Sequence, residues 1–112
     1  MIRQPEFVTP EIFEWAVASL KRKKPDLDYT KARFETLEEG WCIQAMHIGP
    51  YDTEENTIQK IEQFIVNQGY QNDIGNHYST GQKKRHHEIY LKDPRKTKPE
   101  NLKTVIRHPI NK

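Results

Sequence analysis

Trp41-Cys42-Ile43-Gln44-Ala45-Met46-His47-Ile48-Gly49-Pro50-Tyr51-Asp52-Thr53-Glu54-Glu55 decides the fold. Trp41 to Ile48 lacks helical spacing and is rich in aromatic and apolar side chains, so it reads as a strand. Gly49-Pro50 breaks it. Asp52-Thr53-Glu54-Glu55 then has the D-x-x-E pattern of a capping box. It opens a helix with apolar positions at Ile58, Ile61, Phe64 and Ile65, closed by Gly69 just past its end. A strand leading directly into an amphipathic helix calls for a sheet covered by helices.

Upstream, Met1 to Arg3 reads as the tail of a strand. Thr9-Pro10-Glu11 reads as a helix start, with Thr9 as N-cap and Pro10 in the first turn. Phe13, Val17 and Leu20 recur at helical spacing, and Ile12, Trp15 and Ala16 widen the stripe. Lys21-Arg22-Lys23-Lys24 complements the helix C-terminus, and Pro25 stops it. That basic run reads as a solvated helix end, with a phosphate-binding patch as the alternative. Ala32 to Leu37 is a further expected strand, joined to Trp41 through a hairpin turn at Glu38-Glu39-Gly40.

Downstream, Tyr70 to Arg85 is polar, rich in Asn, Gly and Lys, and reads as a flexible loop. His86 to Leu91 is a strand, Asp93-Pro94 a turn, and Thr97-Lys98-Pro99-Glu100 a single helical turn. Leu102 to Arg107 is the last strand. The expected order is strand, helix, strand, strand, helix, strand, strand. It gives an α+β domain over residues 1–112, with an antiparallel sheet carrying its helices on one face.

The 112 residues include 18 basic and 16 acidic side chains, a formal charge of +2. That balance gives no argument for nucleic acid. The single cysteine, Cys42, forms no internal disulfide and has no histidine at a telling distance for nucleophilic catalysis. No apolar run approaches the roughly 18–20 residues of a membrane span, and no signal peptide is legible, so a cytoplasmic location is expected. There is no Gly-rich phosphate loop and no zinc spacing, so no cofactor is expected.

Strand alternation puts His86, Glu88 and Tyr90 on one face and His87, Ile89 and Leu91 on the other. The apolar pair, Ile89 and Leu91, is expected under a helix. The carboxylate between an imidazole and a phenol is then expected on the helix-free face. The strand from Trp41 divides into Trp41, Ile43, Ala45, His47 and Cys42, Gln44, Met46, Ile48. Neither set is cleanly polar, as in a strand buried on both sides. Aromatics and titratable groups converging on one face are a small-molecule composition. Each candidate also has a plain reading. Glu88 fits a solvent-facing residue paired with Lys or Arg, and His47 a hydrogen-bonded structural histidine. Trp41 and Tyr90 fit sheet packing, and Tyr51 a staple for the next helix. His86 and His87 point to opposite faces and cannot hold one metal ion together.

His47-Ile48-Gly49-Pro50-Tyr51-Asp52 running into a helix, with His87-Glu88-Ile89-Tyr90-Leu91-Lys92-Asp93-Pro94-Arg95-Lys96-Thr97, resembles the GyrI-like small-molecule-binding proteins, in particular their stand-alone bacterial branch. Met1 to Phe7 and Leu102 to Arg107 fit as well. The resemblance implies two strand-helix-strand-strand modules forming a ligand groove, of which this chain resembles the C-terminal one. It is similar to effector-binding domains of AraC- and MerR-type regulators, which take up hydrophobic, often cationic compounds. It also resembles hydrolases that open cyclopropane rings in electrophilic natural products, and a gyrase inhibitor. Carried over residue by residue, the likeness implies Glu88 as charge partner or catalytic carboxylate and Tyr51 beside it. Trp41, His47 and Tyr90 would line the groove. A small hydrophobic or cationic ligand and a homodimer through the sheet face are the partners it implies. Direct DNA binding is not expected, since 112 residues leave no room for a helix-turn-helix beside this domain.

Overall fold

The computed structural model describes all 112 residues. They divide into two compact units, residues 1–38 and 39–112.

The first unit is built around helix α1, Pro10–Lys23. The Thr9 side chain accepts from the Ile12 amide at 3.3 Å, with proline in the first turn, so the helix begins where its capping chemistry puts it. At the other end the Tyr29 hydroxyl lies 3.1 and 2.9 Å from the Leu20 and Lys24 carbonyl oxygens and shares its proton between them. The Leu20 carbonyl also accepts the Lys24 amide at 2.7 Å, so the tyrosine hydroxyl reinforces the helix end. Phe13 stacks on Phe34, with ring centroids 5.7 Å apart. The expected strands at 1–3 and 32–37 do not form, so Glu38-Glu39-Gly40 closes no hairpin. An extended run becomes a strand only where another offers its backbone groups, and the first unit contains none. Phe34 finds its apolar partner in Phe13 instead.

The second unit holds the sheet. Strand β1 is Cys42–Ile48, helix α2 Glu54–Asn67, β2 Gln71–Asn72, β3 His87–Tyr90 and β4 Lys103–Asn111. All pairings are antiparallel and all involve β4. One of its edges carries β1, and the other carries β3 along residues 104–107 and β2 at 110–111. The architecture is therefore α+β, a four-stranded antiparallel sheet with α2 packed on one face.

Ile61 and Ile65 of α2 and Ile106 and Ile110 of β4 form the core, with Ile43, Ala45, Ile58 and Tyr70 packed against it. Ile106 is fully buried. Burying side chains of this size stabilises the fold by about 1.5–3 kcal/mol each. Phe64, expected in the apolar stripe, is instead 49% exposed. The capping box at Asp52 does not form either: a 3₁₀ turn over Tyr51–Thr53 precedes α2, and Thr53 donates to the Pro50 carbonyl at 2.9 Å. The far end matches expectation. Gly69 takes φ +74°, and the Tyr70 and Gly69 amides donate to the Ile65 and Val66 carbonyls at 3.0 and 3.1 Å, the paired bonds of a Schellman stop.

The polar stretch from Tyr70 to Arg85 contains more structure than its composition announces. Besides β2, it makes a bridge between His77 and Lys83 and a tight turn closed from Gly81 to the Tyr78 carbonyl. Buried Asp73 ties it together, accepting from Asn76 and pairing with Lys84. The expected single turn before the last strand is present at Pro99–Asn101. No helix is long and apolar enough to cross a membrane.

Candidate ligand site

Which face of the sheet Glu88 occupies follows from register. Glu88 stands opposite Ile106 in the β3–β4 ladder, and Ile106 stands opposite Ala45 in the β1–β4 ladder. Directly opposed residues in antiparallel strands share a face. Ile106 packs under α2, so Glu88 lies on the helix-bearing face and not on the helix-free one. The alternation itself is as expected: His86, Glu88 and Tyr90 act together and His87 points away. The assignment of the covered side is corrected. It fails because Ile89 faces away from α2 and is partly exposed, as are Met46 and Ile48 on the same side. Their side of the sheet has no helix within this unit. Arg107 bonds Glu39 and Gln44 there at 2.7 and 3.0 Å, and His87 bonds Glu39 at 2.9 Å.

Glu88 is the hub of a polar cluster beside the N-terminus of α2. The Tyr90 hydroxyl donates to its Oε2 at 2.5 Å, and His86 Nε2 lies 2.9 Å from its Oε1. The Glu54 carboxyl, from the first residue of α2, is a second acidic group acting on it. Those bonds, Tyr90 first and His86 next, hold the Glu88 carboxyl below its ordinary pKa against the opposing effect of partial burial. The same bond pushes the Tyr90 phenol up to about 12, because losing its proton beside a carboxylate is costly. Glu54 moves the other way. Burial raises its pKa first, and the neighbouring Glu88 carboxylate raises it further.

His86 continues the chain inward, its Nδ1 lying 2.7 Å from His108 Nε2. With His86 Nε2–H donating to Glu88, its bare Nδ1 accepts from His108 Nε2–H. His108 Nδ1 is then unprotonated, and it is buried without a partner. Burial holds the His108 pKa down, which fits that neutral form. On the open side, the Tyr51 and Tyr90 rings meet edge to face with centroids 5.4 Å apart. They remain 40% and 60% exposed.

Of the five expected residues, the structure thus brings together Glu88, Tyr90 and Tyr51. His47 lies on the same face but is buried, with Nε2 on the Pro50 carbonyl at 2.9 Å and Nδ1 on the Thr57 hydroxyl at 2.8 Å. Both ring nitrogens therefore serve to fix the entry to α2. Trp41 stands just before β1, four residues from Ala45 and about 13 Å away at ~3.3 Å per residue, with Lys112 Nζ 4.2 Å from its ring centroid. Sequence reasoning missed Glu54, which reads as a helix-start acid, and His108, which falls one residue beyond the expected end of the last strand. Cys42 is half-buried, and burial raises its thiol pKa, the wrong direction for a nucleophile.

Comparison with known proteins places this geometry in a family. No curated protein matches the sequence. Among solved structures, two of hydrolases from Listeria innocua are 42% and 43% identical, with TM-scores of 0.80 and 0.79. An uncharacterised conserved protein from Listeria innocua is 44% identical, with a TM-score of 0.84. Each comparison covers 97% of this chain but 52%, 50% and 50% of the other, so the chain spans about half the length of these neighbours. Residues 12–111 match the model of the GyrI-like small molecule binding domain, and the chain belongs to that family.

Proposed function

We propose that the chain binds amphipathic organic cations against the Tyr51–Tyr90 ring pair, with Glu88 as charge partner. One observation carries this reading: each oxygen of the Glu88 carboxylate is held by a donor, Oε2 by the Tyr90 hydroxyl and Oε1 by His86 Nε2. A carboxylate so held keeps its negative charge and is a weak proton acceptor, which suits attraction of a cation better than abstraction of a proton. Two aromatic rings alongside add cation–π attraction and apolar area. Small-molecule binding is what the family is built for. The cationic class comes from the cluster.

The site is half open, and the neighbours are about twice as long. A second module, from another copy of this chain or from a longer polypeptide, would close over the exposed rings, and the 1–112 unit is on this reading one half of a groove. Light scattering with and without ligand measures that association.

Thermal melting against a panel of lipophilic quaternary cations and uncharged isosteres tests the binding. Cations are expected to raise the melting temperature and the isosteres not to. Glu88→Gln is expected to weaken cation binding on the order of tenfold, ~1.4 kcal/mol. A panel without a single stabilising cation would sink the proposal.

A hydrolase reading is favoured by one finding, that two of the similar structures are hydrolases. On that reading Glu88 stabilises developing positive charge in a strained electrophile, and Tyr90 rather than Tyr51 is the phenol in contact with it. Turnover of a cyclopropane-bearing alkylator, abolished by Glu88→Ala, separates catalysis from sequestration.

A further inference from the structure

We propose that the cavity between residues 74–75 and 83–86 is a second binding site, one that takes the phosphate group of a small phosphorylated organic molecule. The inference is separate from the cation-binding reading and does not rest on it.

A bulge builds the site. Residues 76–78 and 82–84 form a short antiparallel ribbon, in which the Tyr78 amide donates to the Gln82 carbonyl at 2.8 Å and the Lys84 amide to the Asn76 carbonyl at 2.7 Å. The Gly75 amide donates to the Lys84 carbonyl at 2.9 Å, so Gly75 and Asn76 both oppose Lys84. Glycine at φ +93° in the first position of such a pair makes a G1 bulge, which bends its strand and re-aims the side chains around it. Open space lies where a Gly75 Cβ would stand. The resulting cavity, of about 420 Å³, is lined by Ile74, Gly75, Lys83, Lys84, Arg85 and His86.

Charge names the ligand. No lining residue is acidic. Buried Asp73 pairs with Lys84 and fixes it in place, whereas Lys83 and Arg85 have no carboxylate partner. His86 spends both ring nitrogens, on Glu88 at 2.9 Å and His108 at 2.7 Å, so it serves as a wall and not as a donor. Two uncompensated positive charges match a dianion. The Arg85 guanidinium can present paired N–H donors to two phosphate oxygens, and Lys84 keeps donors beyond the one given to Asp73. The cavity is also larger than a lone anion needs and falls in the size range of small organic ligands. Ile74, 39% exposed, gives the remainder of such a molecule an apolar surface. A merely solvated run of cations needs neither a concave floor nor a buried acid anchoring its middle member.

Calorimetric titration of the full chain with phenyl phosphate, at neutral pH and low salt, tests the site. Inorganic phosphate and phenol are the comparison arms. Saturable one-to-one binding of phenyl phosphate is expected, about tenfold tighter than inorganic phosphate, with no binding of phenol. Affinity is expected to fall as the pH drops through the second ionisation of the phosphate, at about 6. The double variant Lys83→Ala/Arg85→Ala is expected to bind about tenfold more weakly or worse, and Arg85→Lys, which keeps the charge and removes the fork, to lose part of that. Lys84 is left in place because its pair with Asp73 holds the loop. Lys21→Ala/Lys23→Ala, at the basic end of α1, controls for general charge attraction and is expected to bind like the parent. Melting temperatures of both double variants report that they fold. No saturable binding of phenyl phosphate overturns the inference, as does undiminished binding in Lys83→Ala/Arg85→Ala or an equal loss in the two double variants. Inorganic phosphate binding as tightly as phenyl phosphate also overturns it, since that leaves only an ion site.

Discussion

Glu88 and Ile106 face each other across the β3–β4 ladder, so the ionised hub of the polar cluster shares a sheet face with the most deeply buried isoleucine. The two differ in what lies above them. Helix α2 covers Ile106 with Ile61 and Ile65, whereas β3 lies at the sheet edge and contributes no side chain to that core. One face thus carries the core and the candidate site side by side.

The first prediction separates the two faces. Ile106→Ala is expected to lower unfolding free energy by about 2–5 kcal/mol, through lost burial and the cavity left behind. Ile48→Ser, on the opposite and exposed face, is expected to stay within about 0.5 kcal/mol. Urea denaturation of both variants measures the difference.

Asp73 predicts the acid limb of the stability curve. Its bonds from Asn76 first and Lys84 next hold its pKa below the ordinary value. A carboxyl depressed in the folded state stabilises the protein above its unfolded pKa, and that contribution disappears as pH falls through the folded one. Asp73→Asn is expected to cost about 1–3 kcal/mol at neutral pH. It should also flatten the loss of stability on acidification. Equal acid sensitivity of the variant and the parent chain would contradict this.

The Tyr90 phenol, at about 12, should be among the last tyrosines to ionise. Spectrophotometric titration is expected to show a high-pH component that Tyr90→Phe removes. The same component should move down in Glu88→Gln, where the carboxylate no longer opposes the tyrosinate.

Gly69 closes α2 at φ +74° with open space where a Cβ would stand. Gly69→Ala is therefore strained by backbone conformation alone, and about 1–2 kcal/mol of stability should be lost. Thermal denaturation reads this directly, and an unchanged melting temperature would argue against the Schellman stop.

The secondary elements legible in the sequence were those with strong local chemistry. The Thr9 cap and proline start of α1, the isoleucine stripe of α2 and the Gly69 stop all act within one or two turns. What could not be read was pairing. Ala32 to Leu37 has the composition of a strand but no partner, and nothing local reports that absence. Alternation grouped Glu88 with His86 and Tyr90 correctly. Deciding which group α2 covers needed the register against Ile106, set by residues about twenty positions away. Glu54 escaped notice for the same reason, since an acid at a helix start is ordinary until another acid is found against it.

Strand β4 has a kinetic consequence. Because β1, β2 and β3 each pair with it and with no other strand, none of them gains a backbone partner before residues 103–111 leave the ribosome. Until then the α2 isoleucines have no cover from Ile106 or Ile110. Assembly of this sheet is thus a late, concerted event dominated by sequence-distant contacts, the arrangement that makes folding slow and exposes a nascent chain to aggregation or chaperone capture.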